Sequence, residues 1–229
     1  MKKLIGIAAF LPLAVTLVWL QFLPDTVPAH YNFSGVVDRW GSKWEKLILP
    51  GVVLLFVFSF VLLIRYYERK AAAGDGKENV QAGANAKILC WTTISLCVFF
   101  TALQVVGLFS AGKSAAAQTE RMEAPILKIT ALCMAVLFLV LGNLMSKAKP
   151  NSAMGFRCGW TQYNDNTWRR SNRFAGYAMI LDGIVTAIAV AIAPESWAMP
   201  LLLGLLTLCL CVCLIYARRV YQEEKAKEA

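Results

Sequence analysis

Six apolar runs alternate with polar connections along the chain. The runs cover about residues 4–22, 47–64, 88–111, 125–146, 174–193 and 198–217. Each is about 18–24 residues long, enough to cross a hydrocarbon core of roughly 30 Å as a helix. Because backbone groups in lipid must form their hydrogen bonds within the segment, the runs are predicted to be α-helices. The pattern therefore predicts an all-α integral membrane protein with six transmembrane helices.

The composition supports this fold class. Hydrophobic residues make up 58% of the chain, against about 45–50% in soluble domains. Six of the seven cysteines lie within the apolar runs, where cysteine behaves as a small apolar residue. The sequence thus predicts neither a sizeable soluble domain nor a disulfide framework.

Lysine and arginine are distributed unevenly over the connections. If the N-terminus faces the cytoplasm, 17 of these cations lie on the cytoplasmic side and five on the outer side. Cytoplasmic loops carry such an excess, so both termini are predicted to be cytoplasmic. The formal net charge of +9 then needs no direct nucleic acid partner. Its expected consequence is contact with anionic lipids of the bilayer.

A polar cytoplasmic connection divides the chain. Residues 65–87 mix charges with a small-residue stretch that includes Gly74 and Gly76, which is typical of a mobile linker. The predicted organisation is a two-helix unit at 1–64, a linker at 65–87 and a four-helix membrane unit at 88–229. A division after the third span, into halves of opposite orientation, is the alternative.

The outer connection contains the only histidine of the chain. His30 lies two positions before Asn32 and eight before Asp38, and Gly35 marks a turn between them. These side chains could form a site for a peptide partner, or they could bond to one another and hold the shape of the loop. A metal is a third interpretation, with His30 and Asp38 as ligands, although zinc usually needs more His or Cys ligands.

The order of residues in this outer loop is similar to that of an uncharacterised domain common in small bacterial membrane proteins. The shared pattern is Leu-Pro-x-x-Val-Pro-x-His-Tyr-Asn-x-x-Gly-x-x-Asp, which here runs from Leu23 to Asp38. The resemblance implies a first membrane span followed by a folded outer loop.

The connection from Asn151 to Asn172 is unusually rich in polar and aromatic residues. Gly155 and Gly159 bracket Arg157, which predicts a tight turn presenting a guanidinium suited to carboxylates and phosphates. Arg157 with Trp160 either ties the loop to the helix ends or forms a ligand or partner site.

A helix is expected to begin within this connection and to continue into the fifth span. Asp165, Asn166 or Thr167 is predicted to cap it. Trp168 and Asn172 are four positions apart and therefore share one face of that helix.

Seven residues of the connection form a pattern that resembles the signature of the SdpI family of membrane immunity proteins. They are Asn151, Gly155, Arg157, Trp160 and Thr161, followed by Trp168 and Asn172. The resemblance implies a protein that protects its cell against a secreted antimicrobial peptide toxin, with relay to a cytoplasmic transcriptional repressor as a further role. The two motif loops are then the expected ligand or partner sites.

Polar residues within the spans are further candidates. Asp182 lies near the middle of the fifth run, where a carboxylate costs roughly 2.5–3.5 kcal/mol on insertion scales. It is therefore predicted to be neutral or partnered. Its partner is either Lys128 of the fourth run, or a hydrogen-bonded cluster with Thr186 and Gln104.

Two other classes of function compete with immunity. A small transporter would need Asp182 to line a hydrated path through the membrane. A metal-dependent membrane protein would use the His30 loop. The sequence shows no nucleophile or metal constellation of recognisable spacing, so a non-enzymatic protein without a cofactor is predicted.

Overall fold

Long helices form most of the protein. They are α1 (Lys2–Trp19), α2 (Ile48–Ala72), α3 (Lys77–Ala117), α4 (Ile126–Met145), α5 (Asp165–Ile192) and α6 (Ala198–Glu228). The computed structural model describes residues 1–32, 36–117, 126–151 and 153–228. Within these ranges six helices are long and apolar enough to cross a membrane. The predicted all-α membrane protein with six spanning helices is thereby confirmed.

A β-hairpin connects α1 to α2. Strands β1 (Thr26–Tyr31) and β2 (Val37–Ser42) pair antiparallel, and a short 3₁₀ helix (Lys43–Leu47) leads into α2. Val27 of β1 is fully buried and packs with Leu20, Leu23 and Leu108. The outer connection is therefore a folded unit seated on α1 and α3. Gly35, predicted to mark its turn, lies outside the described residues.

The segment 65–87 is helical except for the turn at residues 73–76. Alanine, lysine and glutamate are strong helix formers and continue both helices beyond the apolar runs. Lys70 of α2 and Glu78 of α3 form an ion pair of 2.8 Å across the turn. Asn79 Nδ2 also donates to the carbonyl of Lys70 at 2.5 Å. A helical hairpin thus stands where a mobile linker was predicted.

Buried side chains divide the helices into two groups of three. One cluster joins α1, α2 and α3 and includes Ile5, Val53 and Leu89. Another joins α4, α5 and α6 and includes Phe138 and Val190, together with the start of α6. The hydrophobic contacts of α3 therefore group it with α1 and α2, whereas the sequence placed residues 88–117 with the later helices.

Glycines let α4 and α5 approach each other closely. A Cβ added to Gly142 would lie 2.6 Å from the carbonyl oxygen of Gly176, and one added to Gly176 would lie 2.6 Å from that of Gly142. Further along, a Cβ on Gly183 would lie 2.7 Å from the carbonyl oxygen of Ala135. Small residues at such crossings allow backbone contact in a membrane. This packing fixes the position of α5, and α5 carries the second motif loop at its start.

Candidate functional site: two motif loops

The outer hairpin brings His30 and Asp38 together. His30 Nδ1 lies 2.7 Å from Asp38 Oδ1. The two side chains are 65% and 43% exposed, so solvent screens their attraction and they remain accessible to a partner. The structure therefore supports both a local structural bond and an accessible polar pair at this position.

Asn32 closes the hairpin. Its side-chain oxygen accepts from the backbone N–H of Val36 at 3.0 Å. Its own backbone N–H donates to the carbonyl of Val36 at 2.9 Å. Asparagine suits this position between the strands, because its side-chain oxygen accepts a hydrogen bond as a backbone carbonyl does in a turn.

Residues outside the predicted site fasten the hairpin to the helices. Tyr31 Oη lies 3.1 Å from Ser110 Oγ of α3, and Lys46 Nζ donates to the carbonyl of Pro28 at 2.6 Å. Lys43 pairs with Asp25 at 3.0 Å. Tyr31 belongs to the outer motif and could have been singled out, whereas nothing in the sequence marks Ser110 or Lys46.

Gln104 also belongs to this outer region. It is 5% exposed, and its Nε2 donates to Thr16 Oγ1 of α1 and to the carbonyl of Lys46, both at 2.8 Å. The predicted cluster of Gln104 with Asp182 and Thr186 is wrong. The polar face of α3 that carries Gln104 packs against α1 and not against α5.

A cavity of about 380 Å³ lies beside the hairpin between α2 and α3. Its apolar lining includes Ile48, Leu49 and Leu103. At its polar end, Arg39 Nη2 donates to Glu45 Oε2 at 2.8 Å. This bond raises the pKa of Arg39 above its ordinary value. The cavity thus combines an apolar wall with a charged pair, and Ala29 and Arg39 of its lining are the chain neighbours of His30 and Asp38.

Asn151 begins the inner loop and folds its first turn. Its side-chain oxygen accepts from the backbone N–H groups of Ala153 and Met154, both at 2.7 Å. Its Nδ2 donates to the carbonyls of Lys149 at 2.7 Å and Met154 at 3.2 Å. Its donors and acceptor are used within the loop, which indicates a structural role.

Asn172 joins this turn to α5. It is 1% exposed, and its side-chain oxygen accepts from the N–H of Phe156 at 2.7 Å. Its Nδ2 donates to the carbonyls of Phe156 at 3.3 Å and Trp168 at 3.2 Å. Gly155 has φ +102°, and a Cβ there would lie 2.5 Å from Asn172 Oδ1. The close approach requires glycine.

Trp168 and Thr161 are buried in the same loop. Trp168 Nε1 donates to the carbonyl of Ala148 at 3.0 Å. Thr161 Oγ1 accepts from the N–H of Cys158 at 3.0 Å, and the Thr167 hydroxyl donates to the carbonyl of Thr161 at 3.3 Å. The predicted common face of Trp168 and Asn172 is confirmed as the face that binds the loop.

Asn164 caps α5, one residue before the predicted candidates. Its side-chain oxygen accepts from the N–H groups of Asn166 at 3.0 Å and Thr167 at 2.8 Å. In return, the Thr167 hydroxyl accepts from the N–H of Asn164 at 3.0 Å. This reciprocal pairing is a capping box, so the prediction that Asp165, Asn166 or Thr167 would be the cap residue is wrong.

Arg157 and Trp160 lie apart from this buried network. Arg157 is exposed. Its Nη2 and Nε lie 3.2 and 3.3 Å from the side-chain oxygen of Gln162 in the amide orientation that satisfies both groups. Trp160 lies under Arg218 of α6, whose guanidinium carbon is 6.0 Å from the ring centre. Of the inner motif residues, Arg157 is the one most available to a partner.

Sequence reasoning missed Asn85, which ties the inner loop to α3. Asn85 is 1% exposed. Its side-chain oxygen accepts from the N–H of Lys149 at 3.0 Å, and its Nδ2 donates to the carbonyl of Lys149 at 3.3 Å. Its neighbours at helical spacing, Ala82 and Leu89, are also buried. That periodicity was the available signal.

The charged groups of α4 and α5 do not meet. Lys128 Nζ donates to the carbonyl of Ala191 at 3.3 Å, nine residues and therefore about 13 Å along α5 from Asp182. The possible bridge between Lys128 and Asp182 is therefore wrong. Asp182 is 7% exposed. Its Oδ2 and the hydroxyl of Thr186 have no hydrogen-bond partner within the described part of the chain.

A metal ion would need several ligand side chains close together. Among the described residues, no three or more His, Cys, Asp and Glu side chains come together in a way that could hold a metal ion. His30 and Asp38 are thus two candidate ligands without a third of these types.

Comparison with known proteins gives two family matches. Residues 7–54 match a domain of unknown function, DUF1648, and residues 147–217 match the SdpI/YfhL protein family. The second match contains the whole inner loop, and the first contains the outer hairpin. Both resemblances inferred from the motifs are confirmed.

Two relatives extend this result. "Immunity protein SdpI" of Bacillus subtilis (strain 168) is 22% identical over 174 residues, covering 76% of this chain and 73% of the relative. An "Uncharacterized protein" of Archaeoglobus fulgidus is 38% identical over 68 residues, covering 24% of this chain and 37% of the relative. No solved structure matches the chain. The family match and the apolar helices identify a multi-pass protein of the bacterial cell membrane.

Proposed function

We propose that this chain is an immunity protein, because residues 147–217 match the SdpI/YfhL family and residues 7–54 match DUF1648. It protects the cell that makes it against a secreted toxic peptide. The supporting comparison is the immunity protein of Bacillus subtilis, which matches 76% of the chain. The family is not a known enzyme family, and the proposed protection is by binding.

The structural observation that supports this proposal is an exposed polar pair on an outer hairpin that is fixed to the helices. Val27 anchors it in the core, and the Tyr31–Ser110 bond attaches it to α3. The His30–Asp38 pair remains exposed on this fixed support. A site that is already ordered binds with a smaller loss of conformational entropy, so the hairpin is suited to capture a peptide at the outer face.

The cavity beside the hairpin extends the proposed peptide site. Ile48, Leu49 and Leu103 offer an apolar wall, and Arg39 and Glu45 offer charges of both signs. A peptide that attacks membranes carries apolar and polar groups on different faces. The proposed mode places apolar side chains of the peptide in the cavity and its polar groups against His30 and Asp38.

Relay to a cytoplasmic repressor is the finer part of the proposal. It uses the inner loop, where Arg157 is exposed while Asn151, Trp168 and Asn172 hold the fold. A guanidinium presents a planar fork that fits a carboxylate bidentately. An acidic side chain of the repressor is the proposed contact.

The experiment expresses the chain in a Bacillus subtilis strain that lacks its own immunity protein. The strain is challenged with the purified peptide toxin that this immunity protein counters. We expect the wild-type chain to restore growth, and His30→Ala and Asp38→Ala to raise toxin sensitivity about tenfold at equal abundance, since each removes one polar group of the proposed site. Thr26→Ala is the matched control, because Thr26 is an exposed polar residue of the same strand as His30.

Failure of the wild-type chain to protect, at normal abundance in the membrane, would overturn the immunity proposal for this toxin. Protection that survives both substitutions would instead remove the hairpin from the site. The relay is measured in the same strain with a transcriptional reporter. Arg157→Lys is expected to lose the signal and keep protection, whereas the exposed Arg169→Lys keeps both.

A further inference from the structure

Two adjoining cavities lie on the predicted cytoplasmic side. They have volumes of about 390 and 370 Å³, within the range of roughly 300–1,000 Å³ that is usual for small-molecule sites. Lys77, Gln81, Pro150 and Asp165 line both. The cavities are therefore parts of one groove between the start of α3, residues 146–150 and the start of α5. We refer to it below as the loop groove.

Cations dominate the lining of the loop groove. They are Lys70, Lys77, Lys147, Lys149 and Arg169. The lining contains two carboxylates, and each is already neutralised by a lysine. Glu78 pairs with Lys70 at 2.8 Å, and Asp165 pairs with Lys77. The remaining positive charge has no counterpart in the lining.

Three cations account for this excess. Within the described ranges, the side chains of Lys147 and Lys149 form no ion pair and no hydrogen bond. Arg169 Nη2 donates to the neutral side-chain oxygen of Asn166 at 3.0 Å. The groove thus holds unused donors and about three uncompensated positive charges, which attract an anion.

The backbone that carries Lys147 and Lys149 is fixed. Ala148 between them is buried, and its carbonyl accepts from Trp168 Nε1 at 3.0 Å. Asn85 of α3 holds both the N–H and the carbonyl of Lys149. Lysines that only set the orientation of the protein in the membrane need no such support. A binding site benefits from it, because the lysine side chains then extend from ordered backbone positions.

The depth of the groove indicates how a ligand would enter. α4 ends at Met145, so Lys147 lies near the edge of the hydrocarbon core. Lys77 precedes the apolar part of α3, which begins near residue 88, by about 16 Å of helix. A headgroup layer is about 5–7 Å thick. The groove therefore begins at the level of lipid headgroups and opens beyond them into the cytoplasm.

We propose that the loop groove binds a phosphate group, either on an anionic phospholipid headgroup or on a free phosphate compound. Phosphate supplies several acceptor oxygens and one or two negative charges. Lysine and arginine match these by charge-assisted hydrogen bonds. Lys147, Lys149 and Arg169 are the assigned donors. The site is separate from the outer hairpin and does not depend on the immunity proposal.

The test uses the full chain purified in a neutral detergent and titrated with short-chain phosphatidylglycerol, short-chain phosphatidylcholine or inorganic phosphate. Binding is measured by native mass spectrometry and by the shift in thermal unfolding. The groove variant is Lys147→Gln with Lys149→Gln. The matched control is Lys3→Gln with Lys225→Gln, which removes the same charge from exposed positions on the same predicted side.

We expect the wild type and the control to bind phosphatidylglycerol equally, and the groove variant to bind it at least about tenfold more weakly. Lys147→Arg with Lys149→Arg keeps the charge and is expected to restore binding, which separates binding from folding. Stabilisation by phosphatidylglycerol alone identifies a lipid headgroup as the ligand. Stabilisation by inorganic phosphate as well identifies the phosphate group itself.

Three results would overturn the proposal. One is an equal loss of phosphatidylglycerol binding in the groove variant and the control variant, which would show that the binding depends on general surface charge. Another is equal binding of phosphatidylcholine, which would show that the anion is not what the groove recognises. The third is the absence of any binding to the wild-type chain.

Discussion

Asparagine side chains close both motif loops. Asn32 binds backbone on the far side of the hairpin turn, and Asn151 and Asn172 bind backbone groups of the inner loop. An amide offers donors and an acceptor at a fixed distance and so can replace a missing backbone partner. At these positions, side chains of the motif residues hold the shape of the two loops.

Gly155 is a position of the inner loop where an added methyl group would make a very close contact. Gly155→Ala places a methyl group 2.5 Å from Asn172 Oδ1 and 3.2 Å from Trp168 Cζ2 at a φ of +102°. We expect the free energy of unfolding to fall by about 1–3 kcal/mol. Thermal unfolding of the purified chain in detergent measures it.

Gly159→Ala is the matched control. Gly159 lies in the same loop, and a Cβ there would meet nothing within 4 Å. Its unfolding midpoint is expected to stay close to that of the wild type. If the two alanine variants unfold at the same temperature, the contact between Gly155 and Asn172 does not support the loop.

Residue partners could be predicted from sequence only where they are close along the chain. The eight-residue spacing of His30 and Asp38 suggested a common site, and the hairpin brings them into contact. Partners of Gln104 and Lys128 depend on which helices pack together and on how each is rotated. The bond between Asn85 of α3 and Lys149 joins residues 64 positions apart in the chain, so the spacing of motif residues could not indicate it.

At the scale of elements, the apolar runs predicted the spans because lipid leaves the backbone no other conformation. They underestimated α2, α3, α5 and α6, which continue beyond the apolar runs on alanine-rich or charged segments. A hydropathy pattern detects only the lipid-embedded part of a helix. The strands were not predicted, because Pro28 in β1 and Gly41 in β2 are residues that weaken a strand pattern.

The crossing of α4 and α5 allows a test of element packing. Gly142→Ala adds a methyl group 2.6 Å from the carbonyl oxygen of Gly176, which a rigid backbone cannot avoid. The helices must separate, and such overpacking costs about 1–3 kcal/mol. We expect an earlier unfolding transition when the purified chain is titrated with denaturing detergent.

Gly204→Ala serves as the control for this crossing. Gly204 lies on α6, where a Cβ would meet nothing within 4 Å. Alanine favours the helix over glycine by up to about 1 kcal/mol, so this variant is expected to be neutral or slightly more stable. Equal behaviour of the two variants would show that the backbones of α4 and α5 are not in tight contact.

The whole molecule consists of two three-helix groups joined through α3. The outer hairpin meets α3 at Ser110, and the inner loop meets it at Asn85. These positions are 25 residues and about 37 Å apart along the helix, more than the roughly 30 Å of a hydrocarbon core. The two loops therefore lie at opposite ends of the membrane-spanning bundle.

The remaining question at this scale is which end faces outward. The 17-to-5 distribution of lysine and arginine predicts that the inner loop is cytoplasmic, because cationic loops resist translocation. Single cysteines at Asp25 and Gln162, both exposed, report the two ends in a Cys158→Ser background. A membrane-impermeant maleimide applied to intact cells should label Asp25→Cys, and label Gln162→Cys only after permeabilisation. Labelling in the reverse order would show that the protein has the opposite orientation in the membrane. The proposed peptide site would then lie on the cytoplasmic side.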